Sequence, residues 1–135
     1  MWNCGSKRQG RPYEDVSLRE ILPLMLNARP AGISSERANP RHAHEWKVWQ
    51  DIRLPEEKGI IPGALDSTTN FIEHPELVAE RMVRYAEVMG RERVIAGIDC
   101  GFGTSAWGRK VDAKIAWAKL QSLVEGTRLA SAVLW

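Results

Sequence analysis

The chain has no apolar run approaching the ~20 residues that a membrane-spanning helix needs. Its first residues, MWNCGSKRQG, lack the apolar stretch of a secretory signal. A large charge of one sign is missing too: 19 Lys and Arg stand against 17 Asp and Glu, a net charge of +2, with the two signs interleaved. Neither nucleic acid nor a membrane is therefore expected as a partner. Cysteine is scarce, and two in 135 residues cannot build a disulfide framework. Reduced thiols in a cytoplasmic protein are the expectation. Local signatures are absent as well: there is no CxxC or HExxH, and GFGT with WGRK does not complete a GxGxxG motif or a phosphate loop.

What is present is an alternation of short apolar runs with amphipathic helical patterns. DVSLREILPLMLNA reads as a helix with Asp15 or Ser17 as N-cap and Pro23 as a kink or limit. AGISSE is a short strand, and NPRHAHEWKVWQDI a helix capped by Asn39 with Pro40 at its first position. GIIPGALDS is the next strand, irregular at Pro62 and Gly63. PELVAERMVRYAEVMG places Val78, Met82, Tyr85, Ala86 and Met89 on one helical face, with His74 introducing it and Gly90 stopping it. RVIAGIDCGF is a third strand, and DAKIAWAKLQSLVEGTRLAS a last helix with Ala116, Leu120, Leu123 and Val124 inward. Such β-α-β-α-β-α order favours a parallel sheet with helical crossovers.

Polar residues recur where strands give way to loops. Cys4, Glu36, Asp66 and Cys100 are separated by 32, 30 and 34 residues. A (β/α)8 barrel of ~250 residues spends about 31 on each unit and gathers its active site from the C-terminal ends of its strands. At that rate 135 residues hold a little over four units, the C-terminal half of a TIM-type barrel. A smaller doubly wound fold, or a barrel assembled from two copies, are the other architectures. Half a barrel has two open edges, through which the chain is expected to self-associate.

Thiolate and carboxylate are zinc ligands, and three protein ligands with one open position describe a catalytic zinc site. Cys4, Glu36 and Cys100 form such a set, better suited to a borderline-soft ion than to magnesium or calcium. The open position suits a substrate thiol, which zinc keeps ionised at neutral pH. Alkyl transfer to sulfur is the matching chemistry. Each residue also has a plainer reading: Cys100 as a small buried residue, Glu36 as a cap or salt-bridge acid beside Arg37 and Arg41, and Asp66 as the cap of the turn STTN. His42 and His44 do not chelate one ion from a helix, because positions i and i+2 point apart.

Three stretches, RPAGISSERANPRHAHEW, IIPGALDSTTNFIEHPELVAERMVRYAEVMGRERVIAGIDCGFGT and DAKIAWAKLQSLVEGTRLAS, resemble the C-terminal catalytic barrel of cobalamin-independent methionine synthases. They are most similar to its short relatives, the methionine synthase II-like proteins and epoxyalkane:coenzyme M transferases. The likeness runs from Asp15 onward, which divides the chain into an unassigned or truncated start, residues 1–14, and a partial catalytic barrel domain, residues 15–135. It implies one zinc held by a His-x-Cys pair, a Glu and a late Cys. Cys100 matches the late Cys of the DCG motif, Glu36 the Glu after the AGIS strand, and Cys4 the Cys of the pair. The histidine of that pair is replaced by Trp2, whose indole N–H cannot ligate zinc.

The function implied is that of a methyltetrahydropteroyltriglutamate–homocysteine S-methyltransferase in methionine biosynthesis. Its partners are a small-molecule thiol and a folate-type methyl donor, and methyl passes to a zinc-bound thiolate without cobalamin. Asp66, Thr68 and Asp99 are the substrate-side candidates, Asp99 also as a residue behind the metal ligands. Alternatives are alkylation of a coenzyme M-like thiol by an epoxide, or an inactive truncated zinc-binding remnant.

Overall fold

The computed structural model describes residues 16–103 and 111–135. Six elements carry the fold: α1 (Leu18–Leu26), β1 (Gly32–Ser35), β2 (Gly59–Leu65), α2 (Pro75–Met89), β3 (Gly97–Ile98) and α3 (Ala113–Leu134). The strands form one parallel sheet in the order β1-β2-β3, so each crossover returns to an adjacent position. Ile33 pairs with Ile60 and Ser35 with Pro62; on the other side Gly63 pairs with Gly97 and Leu65 with Ile98, around an irregularity. This small parallel α/β sheet agrees with part of a TIM-type barrel. Among the described residues no further strand pairs with the outer edge of β1 or β3. No helix among them is long and apolar enough to cross a membrane.

Local chemistry explains most boundaries. Ser17 is the N-cap of α1, and Pro23 is accommodated inside that nine-residue helix. His74 caps α2 by accepting the Glu76 N–H on Nδ1 at 3.2 Å, Pro75 takes the first helical position, and Gly90 ends the helix at φ 91°. Asp112 caps α3 through the Lys114 N–H at 2.8 Å. The stretch after β1 departs from expectation. Instead of an α-helix from Pro40, it makes turns and then a 3₁₀ helix, Glu45–Asp51. Here Glu45 and His42 turn inward to pair, and His44 is left exposed.

The core lies in two clusters that α2 joins. Tyr85 and Met89 pack with Leu18, Leu22, Trp49, Leu54 and Ile60; Val78 and Met82 pack with Ala64, Leu65 and Ala130. The inward face of α3 differs from its apolar pattern. Lys119, Ser122, Gly126 and Ala130 are buried, whereas Val124 is 70% exposed and Trp117 72%. The cause is close docking: a Cβ on Gly126 would stand 2.5 Å from Val78 Cβ and 2.6 Å from the Pro75 carbonyl oxygen. Only a bare backbone lets the two helices come that near.

Candidate functional site

Glu36, Asp66 and Asp99 each follow directly on the last residue of β1, β2 and β3, so the C-terminal ends of three adjacent parallel strands share one rim. The repeat seen in the sequence is therefore a spatial one for Glu36, Asp66 and Cys100. Cys4 lies outside the described residues. All three rim carboxylates are at least 92% buried.

Glu36 uses one oxygen, Oε1, to accept from Asn39 Nδ2 at 3.1 Å. Its other oxygen, Oε2, is buried and accepts no hydrogen bond among the described residues. Burial raises the Glu36 pKa, the Asp99 and Asp66 charges raise it further, and His42 and Asn39 act against them. A buried carboxylate oxygen without a donor is costly unless a cation or proton meets it.

Asp99 is more fully engaged. Its carboxylate accepts the backbone N–H groups of Arg37 at 2.6 Å, Ala38 at 2.8 Å and Asn39 at 2.8 Å. Burial still holds its pKa above the ordinary value, opposed by those three donors. Strand alternation would put Asp99 and Cys100 on opposite faces, but β3 ends at Ile98, and the alternation ends with it. Cys100 is 7% exposed and disulfide-bonded, so the described residues hold no free thiol. This departs from the reduced state expected above. A sulfur so bonded is unable to ligate a metal until the bridge is reduced.

Asp66 makes the turn its sequence foretells: Oδ1 accepts the Thr68 N–H at 2.9 Å and the Thr68 hydroxyl at 2.7 Å. Behind it stands a residue that pattern reading missed. Glu73 accepts the Asp66 N–H on Oε1 at 2.8 Å and pairs through Oε2 with the wholly buried Lys119 at 2.8 Å. Ser122 donates its hydroxyl to the Glu73 carbonyl. The rim of β2 is thus fastened to α3.

A second missed group supports the β1 end. Glu45 accepts the Leu18 N–H on Oε1 at 3.1 Å, and its Oε2 meets Arg37 Nη1 and His42 Nδ1, each at 3.1 Å. Glu45, Arg37 and His42 are all buried. The signal available for it was Glu45 three residues beyond His42, a spacing that suits a pair on one turn.

The donor chemistry fits a borderline-soft cation in part. Glu36 offers an orphaned oxygen at the end of β1 and Cys100, once reduced, a sulfur just past the end of β3 on the same rim. Among the described residues no group of three or more His, Cys, Asp or Glu side chains is arranged to hold a metal ion. A third ligand has to come from elsewhere.

The fold so defined is a parallel α/β unit with polar groups gathered at its strand ends. It is similar to a B12-independent methionine synthase from a Shewanella species, solved in complex with selenomethionine, with a TM-score of 0.71 at 23% identity. The match covers 95% of this chain and 34% of that enzyme, so the chain spans about a third of its length. That likeness establishes the fold. No protein-family model and no curated protein matches the chain.

Proposed function

We propose that the chain supplies the thiol- and zinc-binding strand ends of a cobalamin-independent methionine synthase-type barrel, a methyltransferase acting on a small thiol. The observation that carries this reading is the buried, unpartnered Oε2 of Glu36 on the rim that also bears Cys100. Glu36 and reduced Cys100 would hold zinc, with Cys4 as the third ligand. Zinc, when bound, supplies a Lewis acid that keeps a thiol ionised near neutral pH, where a free thiol of pKa ~8.5 is mostly protonated. The chain's own residues prepare the place. Asn39 holds Oε1 of Glu36, which leaves Oε2 for the cation. Burial among Asp99 and Asp66 makes that carboxylate a site of negative potential. The Asp66–Thr68 turn borders it and is the candidate contact for the small-molecule substrate, with Glu73 fixing its backbone.

Zinc titration of the reduced chain against a chromophoric chelator tests the reading. One zinc per chain is expected, with loss of binding on Glu36→Gln and on Cys100→Ser. With cobalt in place of zinc, added homocysteine should strengthen the sulfur-to-metal absorption. A reduced chain that takes up no metal, or whose uptake ignores both substitutions, refutes it.

A further inference from the structure

Asp99 belongs to the end of an edge strand, yet its side chain serves the opposite side of the sheet. Its backbone N–H is bound to the Leu65 carbonyl of β2 at 2.9 Å. Its carboxylate holds Arg37, Ala38 and Asn39, in the loop after β1, two strands away in the order β1-β2-β3. Between them lies Gly63 of β2. A Cβ there would stand 2.8 Å from both the Asp99 Cα and its backbone nitrogen, and nearer still to the carboxylate. Gly63 is thus a notch through which Asp99 crosses the middle strand.

Glu36 immediately precedes the first residue in the grip of Asp99, and Cys100 immediately follows Asp99 itself. We infer that Asp99 is a positioning residue that fixes the separation of Glu36 and Cys100 by reaching across β2 at the Gly63 notch. This rests on the zinc reading above and extends it to a residue that does not touch the metal. Only a carboxylate fits the task. Three N–H groups converge on two oxygens, and an amide would turn one oxygen into a donor facing another donor. Glu would need room for one more methylene beside a backbone that lacks room for a methyl.

The test compares the reduced wild-type chain with Asp99→Asn, each saturated with cobalt and each titrated with zinc. Asp99→Asn is expected to lose about 10–100-fold in zinc affinity. It should also show an altered cobalt absorption at saturation, because the two donors no longer hold their spacing. A variant that is merely less stable, with a wild-type spectrum when saturated and affinity within about twofold, overturns the inference. Should the variant not fold, amide hydrogen exchange on the wild-type chain decides. Slow exchange at Arg37, Ala38 and Asn39 supports the clamp, and exchange at open-loop rates removes it. Wild-type chain that takes up no cobalt removes the metal reading and this inference together, whereas equal uptake and spectra in both proteins remove only the role of Asp99.

Discussion

Replacing Glu45 by Gln probes how the β1 end and α1 are held together. The carboxylate gathers three donors: the Leu18 N–H at the start of α1, Arg37 and His42. Glutamine keeps the shape but has one acceptor oxygen for two donor clusters, and its NH2 must face one of them. Arg37, 7% exposed, also loses its charge partner. Removing one member of a buried ion pair costs about 3–5 kcal/mol, and an orphaned N–H about 1–3 more. Arg37 keeps a hydrogen bond to the Glu36 carbonyl, which places the expected loss at the low end, about 3 kcal/mol. Unfolding entropy of about 2.1 cal/mol/K per residue gives ~0.28 kcal/mol/K for 135 residues, so the melting temperature should fall by about 11 °C.

The pH dependence carries its own sign. Burial pushes the Glu45 pKa up, but the bonds from His42 and Leu18 and the Arg37 charge outweigh it and hold it below 4.5. The bond to Glu45 holds His42 above 6.5, against the effect of burial. The Glu45 contribution is complete above 4.5 and vanishes as pH falls through its lowered value. That of His42 is complete below 6.5 and vanishes as pH rises through its raised value. Wild-type stability from this pair therefore peaks between the two, and Glu45→Gln should flatten both limbs. Urea denaturation at several pH values measures it. A loss below about 1 kcal/mol, the range of a solvated surface pair, would refute the argument.

Two further substitutions test the docking of α3. Gly126→Ala puts a methyl against Val78 and the Pro75 carbonyl, and should destabilise by about 1–3 kcal/mol despite a helix-propensity gain of about 1 kcal/mol; unchanged stability in urea would show that the helices have slack. Lys119→Met leaves the part-buried Glu73 carboxylate without its cation and should cost about 3 kcal/mol, while adding Glu73→Gln should recover at least about 1 kcal/mol. Additive losses in that cycle would deny the pair.

The sequence was most legible where one periodicity met one partner. All five residues assigned to the inner face of α2 are buried, and its caps are those the residues foretell. The rim was legible as spacing, because a parallel β/α repeat turns chain distance into adjacency. α3 misled. Its apolar pattern assumes an apolar neighbour, but its docking to α2 uses a missing side chain at Gly126, and Lys119 is buried through its bond to Glu73. The 3₁₀ turn at Glu45 was hidden because Asn39–Pro40 promises a helix, while the buried pairing of His42 and Glu45 lies beyond local propensity. The reach of Asp99 was hidden for the same kind of reason. It links residues 62 apart and needs a bare Cα at Gly63, whose only trace was a proline–glycine step inside a strand.

The crossing over Gly63 has a dynamic consequence. Since one side chain ties the loop after β1 to the turn after β3, thermal opening of either end strips three amide donors from a buried carboxylate. Neither segment gains by fraying alone, and the two ends should breathe as a single cooperative unit rather than as separate loops. The mouth of the sheet is then either closed throughout or open throughout.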